Sequence, residues 1–224
     1  PSDTASRFNL SVPLSTQGSG DLTSGKEIFT TPGTYTWKAT TSKIWVSICG
    51  GGAGGNSYGG GGAGAAYQDI PLTVTPGQSY TVVVGAAGNV NSMGGSSSFG
   101  SLLTAPGGSV AYKTAFANNT YYIGGAAGGS GGQNGSSYFI ISGNDIIFNG
   151  GDGGNGLFGV GAKAGQLKDF ESGGDGSRFK LVQNIGSAPQ GYGTGGNGGS
   201  SSLSDGKYTL LPSAGTSGMV IIQW

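Results

Sequence analysis

Glycine occupies 51 of the 224 positions, about three times the usual ~7% share, and it recurs in Gly-Gly-X triplets. Gly50–Gly64 reads GGGAGGNSYGGGGAG and Gly124–Gly135 reads GGAAGGSGGQNG, while Gly150–Gly156 is GGDGGNG and Gly193–Gly199 is GTGGNGG. Each interior Gly costs a helix roughly 0.5–1 kcal/mol relative to Ala, so glycine at this density predicts almost no helix. A three-residue period matches instead the left-handed polyproline II helix, which has three residues per turn and no internal hydrogen bonds. Two faces of such a helix would be bare, and bare faces let neighbouring backbones exchange N–H···O=C bonds. One such helix alone would not overcome an ordering cost of ~1–2 kcal/mol per residue, so at least three tracts must pack together on a folded support. The alternative is a set of flexible Gly loops extruded from a β-sandwich.

A disordered linker is excluded by 9 Phe, 10 Tyr and 3 Trp gathered in short runs between the tracts. With 8 Pro and no sustained third-residue glycine register, the chain is not collagen. Ten basic residues balance ten acidic ones and charges make up 9% of the chain, too even and too sparse for the footprint of a nucleic-acid binder. The single Cys49 forms no internal disulfide and reads as a small buried hydrophobe, with no Lys or Arg beside it in sequence to activate its thiol. No apolar stretch approaches the ~20 residues of a membrane span, and PSDTASRFNL lacks the pattern of a signal peptide. The expectation is synthesis in a cytosol without secretion.

Two parts are expected, an extended arm over 1–26 and one folded domain over 27–224. The arm carries a single period-two alternation, Phe8, Leu10, Val12 and Leu14, suited to a strand laid on a neighbouring subunit, on a larger particle, or on its own domain. In the domain, β-branched and aromatic runs predict strands at Thr34–Ala39, Lys43–Cys49, Ala65–Ile70, Ser79–Val84, Ser137–Ser142, Asp145–Phe148, Arg178–Val182, Lys207–Leu211 and Gly218–Trp224. Pro32-Gly33, Pro76-Gly77 and Pro106-Gly107 predict turns.

The chain contains no His, which removes Ser-His-Asp triads, Cys-His nucleophiles and zincin motifs, and no enzyme is expected. Gly151–Gly156 fits G-x-G-x-x-G after a strand, but Gly159, Gly161 and Gly165 interrupt the helix that must follow. No cofactor is expected. Gly150–Phe158 (GGDGGNGLF) also resembles one calcium-binding nonapeptide, with Asp152 and Asn155 as the ligands it would use, yet such sites need stacked copies, and the alternative is that both residues face water. The neighbouring acids Asp169, Glu171 and Asp175 read as solvated loop charge, and the sequons at Asn9, Asn118 and Asn134 as loop composition. Three segments fit neither strand nor tract: Lys113–Tyr122, Leu157–Ser172 and Phe179–Tyr192. Their aromatics and amides make Phe116, Asn118, Tyr121, Phe158, Phe170 and Tyr192 the candidate receptor contacts, the alternative being that the Phe residues fill a core.

The order FTTPGTYTWKATTSKIWVSICGGGAGG, LTVTPGQSYTVVVGAAG, GGSSSFG and a closing GMVIIQW resembles the glycine-rich domain of bacteriophage tail fibres, adhesins and other virion proteins, from about Ile28 to Trp224. That resemblance implies an all-β, jelly-roll-like β-sandwich carrying packed polyglycine II helices, with host-binding loops at their free ends. The function it implies is a non-enzymatic virion structural or adhesion protein on the particle surface, attached to other virion proteins through the arm and able to bind a host protein or glycan, with a homo-trimer as one possible assembly. A self-assembling extracellular filament subunit, with the arm strand completing a neighbour's sheet, is the alternative.

Overall fold

The computed structural model describes residues 24–56, 59–116, 119–136, 138–142, 145–149, 152–162, 166–171, 178–184, 188–198, 200–204 and 207–224. Their strands are β1 (Lys26–Phe29), β2 (Gly33–Lys38), β3 (Lys43–Cys49), β4 (Ala66–Thr73), β5 (Ser79–Val84), β6 (Ser97–Phe99), β7 (Leu103–Ala105), β8 (Tyr112–Phe116) and β9 (Asn119–Ile123). They continue with β10 (Tyr138–Ser142), β11 (Asp145–Asn149), β12 (Gly159–Val160), β13 (Gln166–Glu171), β14 (Arg178–Asn184), β15 (Gln190–Gly191), β16 (Ser200–Ser204), β17 (Lys207–Leu211) and β18 (Met219–Gln223). The fold is all-β, built from several antiparallel sheets.

Two four-stranded sheets, in the orders β1-β18-β3-β4 and β2-β5-β6-β7, share one hydrophobic core. The first supplies Ile44, Val46, Ile48, Val220 and Ile222, and the second supplies Trp37, Val82, Val84, Phe99 and Ala105. The period of two places Ile44, Val46 and Ile48 on the inner face of KIWVSIC and leaves Lys43 and Trp45 outside. Trp37 contacts both Phe99 and Trp224, with ring centroids 5.8 and 5.7 Å apart. Pro71, which has no N–H to give a second neighbour, lies in β4 at the edge of its sheet. A bulge opposite Ser47 brings Asp69 to φ 51°, where its N–H donates to Ser47 Oγ at 3.0 Å and its carboxylate accepts from the same hydroxyl.

Strand β3 runs directly into segment 50–56, and segment 212–218 runs directly into β18. Between them the glycine tracts bond backbone to backbone with a strict period of three. The amides of Gly50, Ala53 and Asn56 donate to Ala65, Gly62 and Gly59, those of Gly51 and Gly54 to Gly95 and Ser92, and those of Gly52 and Gly55 to Thr216 and Ser213. The next segment repeats the pattern. Gly60, Ala63 and Ala66 donate to Ser136, Gln133 and Ser130, Gly61 and Gly64 to Gly196 and Gly193, and Gly62 and Ala65 to Ser109 and Pro106. Its carbonyls accept from three further neighbours: Gly125 and Gly128 bond Gly60 and Ala63, Gly154 bonds Gly61, and Ala53 bonds Gly62. Segment 59–66 is therefore bonded to six surrounding segments, an arrangement that no sheet allows.

Close approach explains the composition. A Cβ added at Gly52, Gly54, Gly55, Gly62 or Gly64 would fall under 3.0 Å from a neighbouring backbone carbonyl, closer than real Cβ atoms come. Alanine replaces glycine where space remains, and Ala53, Ala63 and Ala65 are fully enclosed.

The predicted strands recur within a residue or a few at their ends, and Lys43–Cys49, Ser79–Val84 and Lys207–Leu211 coincide with the observed elements. Two sequence expectations need correction. Of the three Pro-Gly turns, Pro76-Gly77 is a turn with Gly77 at φ 84°, whereas Pro106-Gly107 runs straight into the tracts, with Gly107 pressed against the Gly94 backbone. Lys113–Tyr122, read as loop, is taken up by the antiparallel pair β8–β9, and the other two such segments contain β12 and β13, and β14 and β15.

Candidate functional site

The bundle has two distinct ends. At one, Gly25 exchanges backbone hydrogen bonds with Trp224 at 2.8 and 3.0 Å, so the chain enters the domain at the end of the sheets farthest from the tracts. The other end is tied together by a relay of backbone bonds: Asn91 to Gly55, Gly55 to Ser213, Ser213 to Asn197, Gly125 to Gly60, Gly60 to Ser136, and Ser136 to Asp152. From this level three hairpins depart, β8–β9 after Ala111, β10–β11 after Ser136 and β16–β17 after Gly198. A fourth, β13–β14, follows Ala162, whose N–H bonds Gly195, and joins β10–β11 through Asn149 and Gln166 in one four-stranded sheet.

Asn56 fixes this end. Its buried Nδ2 donates to Asn91 Oδ1 at 2.9 Å and to the Ala111 carbonyl at 2.7 Å, tying three chain reversals with one carboxamide. Val90 and Tyr112, next in sequence to these two partners, are exposed, and so is Met93 at 63%. Nothing in the sequence marked Asn56 as special, because its partners lie 35 and 55 residues away.

The candidate contacts divide. Phe116 lies at the end of β8, Tyr121 in β9 and Phe170 in β13, all on the hairpins; Asn118 falls outside the described residues. Phe158 and Tyr192 come together elsewhere. Tyr192 N–H donates to the Phe158 carbonyl at 3.2 Å, and both half-buried rings pack on Cys49, Ala66 and Met219, where the strands meet the tracts. The alternation Phe8, Leu10, Val12 and Leu14 also lies outside the described residues.

Cys49 is enclosed in that same cluster. Burial pushes its thiol up to about 12, against a partly offsetting hydrogen bond from the Met219 backbone, so the sulfur stays protonated and unreactive at neutral pH. At the same junction buried Ser97 accepts from Gly85 N–H at 2.9 Å and donates to the Cys49 carbonyl at 2.7 Å, joining the two sheets.

Within the G-x-G-x-x-G stretch the amides of Gly153, Gly154 and Gly156 donate to the Ala162, Gly61 and Gly159 carbonyls and that of Asp152 to Ser136 Oγ, so these four amides are already engaged. Asn155 is likewise engaged, its Oδ1 accepting from Gly161 N–H at 2.8 Å and its Nδ2 donating to Gln133. Among the described residues no three His, Cys, Asp or Glu side chains gather as a metal site would require.

Fold and site together define an all-β protein in which backbone-bonded glycine segments carry hairpins at one end. A family model for a glycine-rich domain matches residues 30–224, and the chain belongs to that glycine-rich domain family. No curated protein matches the chain.

Proposed function

We propose that this protein is a non-enzymatic display module of a virion surface, such as a fibre, tail-tip or capsid-surface component, whose hairpins contact the host. The observation that carries the reading is the polarity of the molecule. Three hairpins leave one end of the glycine bundle and a fourth, β13–β14, joins the sheet of one of them, while the chain enters beside Trp224 at the opposite end. A rigid stalk with recognition elements at one end and its attachment at the other is what an adhesive particle component needs. The three-residue period and six-neighbour bonding support reading the tracts as polyglycine II helices, and the shared core supports a jelly-roll-like β-sandwich beneath them. Phe116, Tyr121 and Phe170 would make contacts from the hairpins by ring stacking, with Asn118 adding amide hydrogen bonds. Phe158 and Tyr192 would serve packing.

The test replaces residues 112–123 by a short Gly-Ser link and measures binding to host cells. Attachment should fall by an order of magnitude or more with unfolding unchanged. Undiminished attachment after replacing each hairpin in turn would defeat the display reading.

A further inference from the structure

A chain this rich in glycine often places it after other residues, and it follows asparagine at Asn134-Gly135, Asn149-Gly150, Asn155-Gly156 and Asn197-Gly198. Asn-Gly is a self-modifying pair. Once hydroxide has taken its proton, the glycine amide nitrogen attacks the Asn Cγ, and a residue without Cβ leaves that approach unhindered. The new C–N bond closes a succinimide ring, the Cγ–Nδ2 bond breaks and ammonia leaves. Water then opens the ring at either carbonyl, giving aspartate or an isoaspartate whose main chain runs through the side-chain carbons.

At two of these pairs both reacting groups are already bonded elsewhere. Gly135 N–H donates to the Gly125 carbonyl at 2.8 Å, and Asn134 Oδ1 accepts from Ala127 N–H at 2.8 Å. Gly156 N–H donates to the Gly159 carbonyl at 3.1 Å. The Asn155 carboxamide is tied at both ends, Oδ1 accepting from Gly161 N–H at 2.8 Å and Nδ2 donating to Gln133 Oε1 at 3.0 Å.

We propose that Asn134 and Asn155 are latent succinimide sites, held off by the bonds that build the bundle and released when it opens. The proton that must leave each glycine amide is the one shared with a neighbouring carbonyl, and each carboxamide is turned to other partners. Ring closure therefore waits for an opening that breaks both sets of bonds. At Asn155 the isoaspartate product also prevents reclosure. The Asn155 carbonyl that accepts from Gln133 N–H at 2.8 Å becomes a pendant carboxylate, and an extra main-chain carbon puts Gly156 out of step with Gly159. A reversible opening becomes a permanent mark, whatever the hairpins contact.

Peptide mapping of the full chain held at mildly alkaline pH, beside the free peptides GGQNGSS and GGNGLFG, tests it. Deamidation at Asn134 and Asn155 should run roughly a hundredfold more slowly in the native chain than in the peptides, and should match them in guanidinium sufficient to unfold it. Hydrogen exchange at the Gly135 and Gly156 amides, which begins with loss of the same proton, should be slowed to a like extent. Gln133→Ala removes the acceptor of Asn155 Nδ2 and should quicken reaction there ~fivefold, with Asn134 unchanged. Peptide-like rates in the native chain would overturn the proposal, and so would slow rates that persist in denaturant or an unmoved Asn155 rate in Gln133→Ala.

Discussion

Replacing Gly52 by Ala is the perturbation whose sign separates packed tracts from loose loops. The added Cβ would lie under 3.0 Å from Thr194 O, Thr194 C and Gly195 N, all backbone atoms that no rotamer change can move. To admit it, segments 50–56 and 193–197 must separate, stretching the bonds from Gly52 to Thr216 and from Thr216 to Thr194, both 2.9 Å. Overpacking costs about 1–3 kcal/mol and each compromised buried hydrogen bond about 1 kcal/mol more, giving about 3–5 kcal/mol in all. In a flexible loop the same change would stabilise by ~0.4–1 kcal/mol, because Ala restricts the unfolded chain. Gly77→Ala is the internal control. Its Cβ would meet nothing within 4 Å, so it bears only the strain of φ 84°, about 1–2 kcal/mol. Guanidinium unfolding followed by fluorescence of buried Trp37 should place the midpoints in the order unsubstituted, Gly77→Ala, Gly52→Ala. A Gly52→Ala midpoint at or above the unsubstituted one would refute the reasoning.

Asn56→Ala leaves the Ala111 carbonyl without its buried donor and should cost about 1–3 kcal/mol, with faster amide exchange confined to the hairpin end of the bundle. Ser97→Ala removes both the acceptor of Gly85 N–H and the donor to the Cys49 carbonyl, and a similar loss should appear in thermal unfolding, with Ser97→Cys no full substitute. For Cys49, the folded pKa is raised from 9.0 to about 12. Its contribution to stability is thus complete below pH 9 and lost as pH climbs from 9 towards 12, since only the unfolded thiol ionises in that window. A Cys49→Ala variant should show a shallower decline there, and the native thiol should resist an aromatic disulfide reagent at pH 8 until denaturant is added.

What the sequence made legible was the part governed by local pattern. KIWVSIC and SYTVVV alternate apolar residues over a full strand, and the structure gives them those bounds. SSF and LTA are too short and too polar to carry a period, so β6 and β7 escaped although Phe99 is among the most enclosed side chains. Hairpin β8–β9 was hidden because KTAFANNTYY has no alternating apolar face to bury. The three-residue period of the tracts was visible in the four richest stretches. Segments 85–95, 106–111 and 212–218 join the same bonding with fewer glycines, and only the spacing of Gly85 with Gly88 and of Gly215 with Gly218 hinted at them. Which aromatics reach the hairpins is a long-range matter. Phe158 and Tyr192 looked like loop residues by composition, and their packing against Cys49 and Met219 depends on contacts no spacing encodes.

The central claim is that each turn of a glycine segment is cemented to three different neighbours in succession. Scalar couplings transmitted through hydrogen bonds, measured by NMR on isotopically labelled protein, test it bond by bond. Couplings should appear from the Gly51 amide to the Gly95 carbonyl, from Gly52 to Thr216 and from Ala53 to Gly62. Their absence, with these three amides exchanging as fast as in an unstructured peptide, would contradict the bundle and the polarity built on it.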